Sequence, residues 1–175
     1  GANDYFAKIS DAGGLVMGYH NMQNSHLWRY AKEFTLCDNF FAAAFGGSFL
    51  NHQWLIAAKT PFVGNDSNLS RYELDEDGTI LSDGVLTPDG YAVNTIQPFY
   101  PPYKAKYADA SKRLKPLKHK TIGDALSQKN ISWVWYSGGY NAALKGKGDE
   151  AEYQYHHNPF LYFEAYKPNS TGREH

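Results

Sequence analysis

The chain has 175 residues, of which 16% are aromatic, and its formal net charge is -1. This aromatic content favours a folded domain, because disordered chains are poor in aromatic residues, and the near-neutral charge argues against a nucleic-acid partner. The single cysteine, Cys37, excludes an intrachain disulfide and a multi-cysteine zinc site, and no apolar run approaches the roughly 20 residues of a membrane span.

The first predicted element is a helix over about residues 25–33. Asn24 and Ser25 offer side-chain N-caps, and apolar residues recur after them at the spacing of one helix face. The next segment, Phe34–Cys37, is short and β-prone. We therefore expect a buried strand directly after this helix.

A second helix is predicted over about residues 49–58, after the sequence Gly46-Gly47-Ser48. The glycine pair interrupts the preceding apolar run, and Ser48 occupies an N-cap position. Thr60-Pro61 closes the helix, because the residue before a proline avoids the helical conformation. Residues 1–63 thus form a first core segment that carries this helix.

Residues 64–115 are expected to leave the core as a β-rich insertion that ends in a basic linker. Asp77-Gly78 lies between two β-prone runs and predicts a hairpin with a type I′ turn. Pro88-Asp89-Gly90 predicts a second turn. The Lys- and Arg-rich stretch over 101–120 is expected either to be a solvated surface or to attract an anionic substrate.

Residues 116–175 form the third predicted segment, which returns to the core. Thr121 and Asp124 have the spacing of a capping box, and this predicts a helix over about 121–128. Ile131–Tyr136 is the clearest strand in the sequence. A helix followed by a strand is half of an α/β unit, so the predicted fold class is α/β.

The first pattern that can carry chemistry is the run from Gly46 to His52. At the start of the predicted helix, free N–H groups and the positive end of the helix dipole favour a Ser48 alkoxide and a phosphate dianion. Asn51 lies one turn further, so its amide can face the same site. The alternative is that Ser48 only caps the helix and that Asn51 and His52 are ordinary polar positions.

The second pattern is the pair His156-His157 in an aromatic segment. Imidazoles can bind a metal, donate to phosphate oxygens or protonate a leaving group. Neighbouring side chains of an extended segment point to opposite faces, so at most one of the two would then aim into a given site. The alternative is a packed or surface pair that takes no part in catalysis.

Several runs of the sequence resemble one known family, and they follow its order. The first run extends from Trp28 to His52 and ends in Gly-Gly-Ser-Phe-Leu-Asn-His, and later runs lie at 121–126, 132–139 and 155–160. They resemble the phosphoesterase family of phospholipases C and acid phosphatases, in the alkaline phosphatase superfamily. The resemblance implies part of a three-layer α/β sandwich. It also implies a secreted or periplasmic enzyme that hydrolyses a phosphomonoester or a phospholipid.

The resemblance assigns roles to individual residues as well. Ser48 matches the family's nucleophile, which attacks phosphorus and also ligates a divalent metal ion. Asn51 matches an amide that contacts a phosphoryl oxygen. His156 and His157 match a histidine pair that lines the phosphate pocket.

The sequence departs from the family at the other metal ligands. The family holds its metal with an acidic residue followed by Asn near its N-terminus and with an acidic pair after the histidine pair. Asp149-Glu150 precedes the histidine pair instead. The chain is therefore expected to be an internal part of a larger enzyme. Alone, it is expected to be weakly active or inactive and to associate with itself or with the missing segments.

Two other classes of function stay open at this point. The density of Tyr and Trp suits an extracellular aromatic-rich module that binds sugars or amphipathic ligands by stacking. A fragment with a degenerate site would act only as an interaction surface. If the chain is a binding module, Ser48 is no more than a helix cap, and its removal is expected to leave the function intact.

Overall fold

The computed structural model describes residues 6–9, 12–65, 68–147 and 152–174. The chain divides into two compact units, residues 1–41 and 42–175, and each is described by itself. The acidic pair Asp149-Glu150 lies outside the described residues.

The described residues combine short helices with short strands. The α-helices are α1 (Phe6–Ile9), α2 (His26–Glu33), α3 (Ser48–Ala57), α4 (Ile122–Gln128) and α5 (Tyr140–Leu144). The strands are β1 (Glu73–Leu74), β2 (Ile80–Ser82), β3 (Gln97–Pro98) and β4 (Arg113–Leu114). Turns of 3-10 helix lie at Gly13–Met17, Ala105–Tyr107, Ala110–Lys112, Tyr155–His157, Pro159–Tyr162, Glu164–Tyr166 and Thr171–Glu174.

The strands form two small sheets of different kinds. β1 pairs with β2 antiparallel, and β3 pairs with β4 parallel. Helices together with sheets of both types confirm the predicted mixed α/β class. None of the described helices is long and apolar enough to cross a membrane.

In the first unit, α2 confirms the helix predicted over 25–33. Ser25 is its N-cap, and the Ser25 Oγ accepts a hydrogen bond from the Trp28 N–H at 3.1 Å. The strand predicted over Phe34–Cys37 is wrong, because the segment is irregular and its apolar side chains are exposed. No described strand pairs with this segment, and a β-prone run gains little from its propensity without a neighbouring strand.

In the second unit, α3 confirms the helix predicted over 49–58, with one difference at its start. The N-cap is Gly47, and Ser48 is the first helical residue rather than the cap. The last helical residue is Ala57, and the C-cap Ala58, with a left-handed φ of 48°, stops the helix before Thr60-Pro61. The shift moves the Ser48 side chain from a capping position onto the first turn of the helix.

One hydrophobic core joins α3 to the middle of the chain and to the C-terminal 3-10 turns. Its buried members are Phe49, Leu50, Ile56, Leu86, Ala92, Ile96, Leu114, Leu117, Phe160, Tyr162, Phe163 and Tyr166. Burying a side chain of this size stabilises a fold by roughly 1.5–3 kcal/mol. The segment 64–115, predicted as an insertion, thus contributes four of these buried side chains to the core beneath α3. The Tyr162 hydroxyl also donates to the Ile96 carbonyl at 2.6 Å.

The predicted hairpin forms between β1 and β2, but its predicted turn type is wrong. A type I′ turn needs positive φ at both central residues. Gly78 has a φ of 79°, whereas Asp77 is not among the described residues with positive φ. The Asp75 carboxylate instead accepts a hydrogen bond from the Asp77 N–H at 3.0 Å. The turn predicted before Tyr91 is confirmed by the Gly90 N–H, which donates to the Thr87 carbonyl at 2.9 Å.

The third predicted segment is confirmed at its helix and wrong at its strand. α4 begins with the predicted capping box, in which the Asp124 carboxylate accepts from the Thr121 N–H at 2.8 Å. No strand forms over Ile131–Tyr136, although its side chains alternate between more buried and more exposed positions. Among the described residues no strand lies beside this segment, so the backbone pairing that would define a strand is missing.

Candidate active site

The structure brings Ser48 and His156 into direct contact. The Ser48 Oγ lies 2.9 Å from the His156 Nε2, although the two residues are 108 positions apart in the chain. Ser48 begins α3, and His156 is the middle residue of the 3-10 turn Tyr155–His157. α3 packs against this turn and against the next one, Pro159–Tyr162, so core packing holds the pair together.

Ser48 lies where α3 presents unpaired backbone donors. The N-cap Gly47 supplies no side-chain acceptor to the first turn. The first N–H groups of a helix have no partner within it, and the positive end of the helix dipole lies at the same point. Gly46 allows the preceding loop to fold closely onto α3, since a Cβ there would lie 2.8 Å from the Leu50 Cδ2. The Ser48 hydroxyl is exposed within this electropositive environment.

The Asn51 side chain holds the loop that leads to Ser48. Its Oδ1 accepts a hydrogen bond from the Ala44 N–H at 3.2 Å. Its Nδ2 lies within donor distance of three carbonyl oxygens, those of Ala44 at 3.2 Å, Gly46 at 3.0 Å and Gly47 at 3.2 Å. An amide nitrogen has only two hydrogens, so the loop takes up both. The predicted contact between Asn51 and a phosphoryl oxygen stays a prediction.

His157 lies in the same cluster, together with a residue that the sequence did not single out for the site. The His157 ring lies edge-on to the His156 ring, with centroids 4.4 Å apart, and stacks on the His52 ring at 4.7 Å. The pair is on a 3-10 turn instead of an extended segment, so both rings lie towards α3. The four-residue spacing from Ser48 to His52, about one helical turn, is the signal that would have identified His52.

The surroundings disfavour a positive charge on either ring of the histidine pair. Burial lowers the pKa of His156 to about 4, and repulsion between its charged form and the neighbouring His157, His52 and Lys104 acts in the same direction. Partial desolvation, and after it the neighbouring His52, also lower the pKa of His157. A neutral His156 with its proton on Nδ1 leaves Nε2 free to accept the Ser48 hydroxyl proton.

The Phosphoesterase family model matches residues 1–174. The chain belongs to the Phosphoesterase family. Membership supports hydrolysis of phosphate esters, with a phosphate ester as the substrate of this phosphoesterase. No curated protein and no solved structure is significantly similar to the chain.

The residues described in this phosphoesterase do not by themselves form a metal centre. Among them, no group of three or more His, Cys, Asp or Glu side chains is arranged to hold an ion. The contact described for the Ser48 Oγ is with an imidazole nitrogen, whereas hard divalent cations prefer several oxygen ligands. Ser48 as a metal ligand therefore stays a prediction.

An aromatic cavity of about 450 Å³ adjoins the segment after the histidine pair. Trp133, Trp135 and Tyr140 form part of its wall. Asn158, the residue after His157, also lines it, and so does Arg173. The Arg173 guanidinium donates to the Pro101 carbonyl at 2.7 Å. This phosphoesterase thus carries a ring-lined cavity in addition to the Ser48 cluster.

Proposed function

We propose that this phosphoesterase hydrolyses phosphate esters by in-line attack of the Ser48 Oγ on phosphorus. The observation that carries the proposal is the 2.9 Å hydrogen bond between the Ser48 Oγ and the His156 Nε2 at the start of a helix. As the oxygen approaches phosphorus, the neutral imidazole takes the hydroxyl proton and becomes an imidazolium.

Attack forms a phosphoserine and breaks the phosphorus–oxygen bond to the alcohol. Negative charge increases on the non-bridging oxygens, and the N–H groups of the first turn of α3 stabilise it. The alkoxide leaves on the side opposite Ser48 and takes a proton from solvent. Water then attacks phosphorus from that side and loses a proton to solvent, while the His156 imidazolium returns its proton to the departing Ser48 oxygen. In this scheme His157 donates a hydrogen bond to a phosphate oxygen.

Trapping of the phosphoserine tests this scheme. The protein is incubated with p-nitrophenyl phosphate and quenched in acid, and peptide mass spectrometry locates the added phosphoryl group. We expect the group on Ser48, its loss in Ser48→Ala, and unchanged trapping in the matched control Ser82→Ala, which removes an exposed serine from β2. Turnover without any phosphoserine, or turnover that survives Ser48→Ala, would contradict the proposal.

A phosphomonoester is the preferred substrate, because the sequence resembles the acid phosphatase branch more closely than the phospholipase C branch. Rates on p-nitrophenyl phosphate and on p-nitrophenylphosphorylcholine distinguish the two, since only the second is a phosphodiester with a lipid headgroup. We expect the monoester to react faster. Faster cleavage of the phosphorylcholine ester would assign a phospholipase C activity.

The divalent metal ion and the secreted or periplasmic location also belong to the proposal. Both come from the family resemblance, and the reaction above uses only groups that the described chain supplies. Turnover measured after chelation, and again after return of Zn²⁺, Ca²⁺ or Mg²⁺, tests the metal. Fractionation of cells that produce the protein tests the location.

The aromatic cavity favours a second candidate function, a module that binds a sugar or an amphipathic ligand. Its Trp and Tyr walls suit stacking, and Arg173 and Asn158 can hydrogen-bond to hydroxyl groups. Ser48→Ala separates the two functions. It is expected to abolish hydrolysis if the first candidate holds, and to leave ligand binding unchanged if only the second does.

A further inference from the structure

We propose that His52 is a positioning residue that holds the His157 ring in the orientation in which it contacts the substrate phosphate. The inference rests on the proposed function, because it assigns His157 a role in that reaction. His52 carries it through two contacts, one with the backbone of Ser48 and one with the ring of His157.

The first contact fixes the His52 ring itself. Its Nδ1 lies 2.6 Å from the Ser48 carbonyl oxygen. A carbonyl oxygen only accepts hydrogen bonds, so the proton of this bond must be on Nδ1. The bond therefore sets both the tautomer and the ring plane of His52 relative to the first turn of α3. Because the acceptor belongs to Ser48, the position of the His52 ring is fixed relative to the backbone of the proposed nucleophile.

The second contact, ring stacking, orients the His157 ring relative to the His52 ring. The two rings are nearly parallel, with an interplanar angle of 10° and centroids 4.7 Å apart. The His156 ring contacts the His157 ring from another side, and the planes of these two rings make an angle of 73°. Within the described part of the chain, no side-chain hydrogen bond holds the His157 imidazole, and the residue is exposed. Its orientation therefore depends on these ring contacts, and its nitrogens remain open to a phosphate oxygen.

A residue that acts only through His157 has a specific signature in a double-mutant cycle. We expect His157→Ala to lower kcat on p-nitrophenyl phosphate by about 100-fold, as for loss of a positioned donor. We expect His52→Ala to lower it by about 10-fold, as for loss of a group that orients another. The double variant should lose no more than His157→Ala alone. Losses that multiply would show that His52 acts independently, and they would overturn the inference.

Two conservative variants separate the two contacts. His52→Phe keeps a ring that can stack on His157 but removes the donor to Ser48. His52→Asn keeps an N–H at the position of Nδ1 but removes the stacking ring. We expect His52→Phe to recover most of the activity that His52→Ala loses and His52→Asn to recover little. The reverse order would show that the bond to Ser48 matters without the ring, and would overturn the inference.

Nuclear magnetic resonance of the imidazole protons gives a readout that needs no turnover. Stacking on His52 shifts the ring protons of His157, so this shift should disappear in His52→Ala and persist in His52→Phe and Ser48→Ala. An unchanged His157 spectrum in a folded His52→Ala would overturn the inference. Wild-type protein that shows the shift but no turnover would contradict the proposed function and leave the positioning of His157 by His52 supported.

Discussion

The ring of Phe49 meets the ring of Tyr162 edge-on, with centroids 5.4 Å apart. Phe49 directly follows Ser48, and Tyr162 lies on the turn after the one that carries the histidine pair. Both side chains are almost completely buried. The contact therefore packs the start of α3 against the C-terminal turns on the core side of the candidate site. The distance between the Ser48 Oγ and the His156 Nε2 depends on this packing.

Loss of this contact is expected to destabilise the protein and the site together. Phe49→Ala should lower the free energy of unfolding by about 3–5 kcal/mol, because it removes a buried ring and leaves a cavity. Urea denaturation measures the change. Phe45→Ala is the matched control, since that ring is 94% exposed, and it should change stability by less than about 0.5 kcal/mol. Equal losses from both variants would contradict the packing described here.

Asn51 is expected to contribute to stability through the loop before Ser48. Asn51→Leu removes the acceptor for Ala44 and the donors to three carbonyls, so it should cost about 1–3 kcal/mol in unfolding free energy. Asn94→Leu is a suitable control, because the Asn94 amide donates to the Tyr72 hydroxyl at 3.2 Å at an exposed position. An Asn51→Leu protein of unchanged stability that has lost substrate affinity would instead favour the predicted phosphoryl contact.

The capping box of α4 predicts an acid-sensitive contribution to stability. Burial raises the pKa of Asp124, but hydrogen bonds from Thr121 and the charge of Lys120 outweigh it and leave the pKa lowered. A carboxyl with a lowered folded-state pKa stabilises the fold above its unfolded-state pKa, and this stabilisation is lost as pH falls through the folded-state value.

Asp124→Asn tests this contribution. The variant should be less stable than the wild type at neutral pH, and the difference should shrink below the ordinary Asp pKa of about 3.9. Thermal unfolding followed from neutral to acidic pH measures it. A stability difference that stays constant across that range would show that Asp124 acts through packing alone.

The self-association expected from the sequence stays a prediction, and the exposed aromatic side chains of one segment offer a way to test it. Phe40 is 86% exposed and Phe41 is 77% exposed, and Phe34 and Leu36 are also exposed in the same segment. Contiguous exposed apolar side chains favour association. Sedimentation velocity over a range of concentrations should therefore show species larger than the 19.7 kDa chain. Phe40→Ser with Phe41→Ser should reduce them, and a chain that stays monomeric at all concentrations would contradict the expectation.

The helices were predictable because their signals are local. The Ser25 cap and the box of Thr121 with Asp124 each join residues three positions apart, so the sequence contains the whole interaction. The strands predicted at Phe34–Cys37 and Ile131–Tyr136 were wrong for the opposite reason. A strand needs a neighbour, and the two runs carry no information about whether one is present.

In the candidate site too, local sequence signals predict some features, whereas others depend on the tertiary structure. Ser48 could be singled out from the glycines before it and the helix after it. Its contact with His156 spans 108 positions and depends on the core between α3 and the C-terminal turns. The Asn51 amide hydrogen-bonds to the loop before Ser48, and this depends on the backbone conformation of the loop, which residue spacing in the sequence does not specify. The stack of His52 on His157 needs both elements in place, so spacing could suggest His52 but not its partner.

The shared core has a consequence for how the chain can be altered. Leu86, Ala92 and Ile96, from the middle of the chain, are buried in the same cluster as Phe49 and Tyr162. A loop module that stands apart from its host can be exchanged or deleted without harm to the catalytic apparatus. Here the middle of the chain forms part of the core against which α3, the helix that begins at Ser48, packs. A foreign sequence grafted in its place would have to supply buried side chains of matching volume before Ser48 and His156 could come into contact.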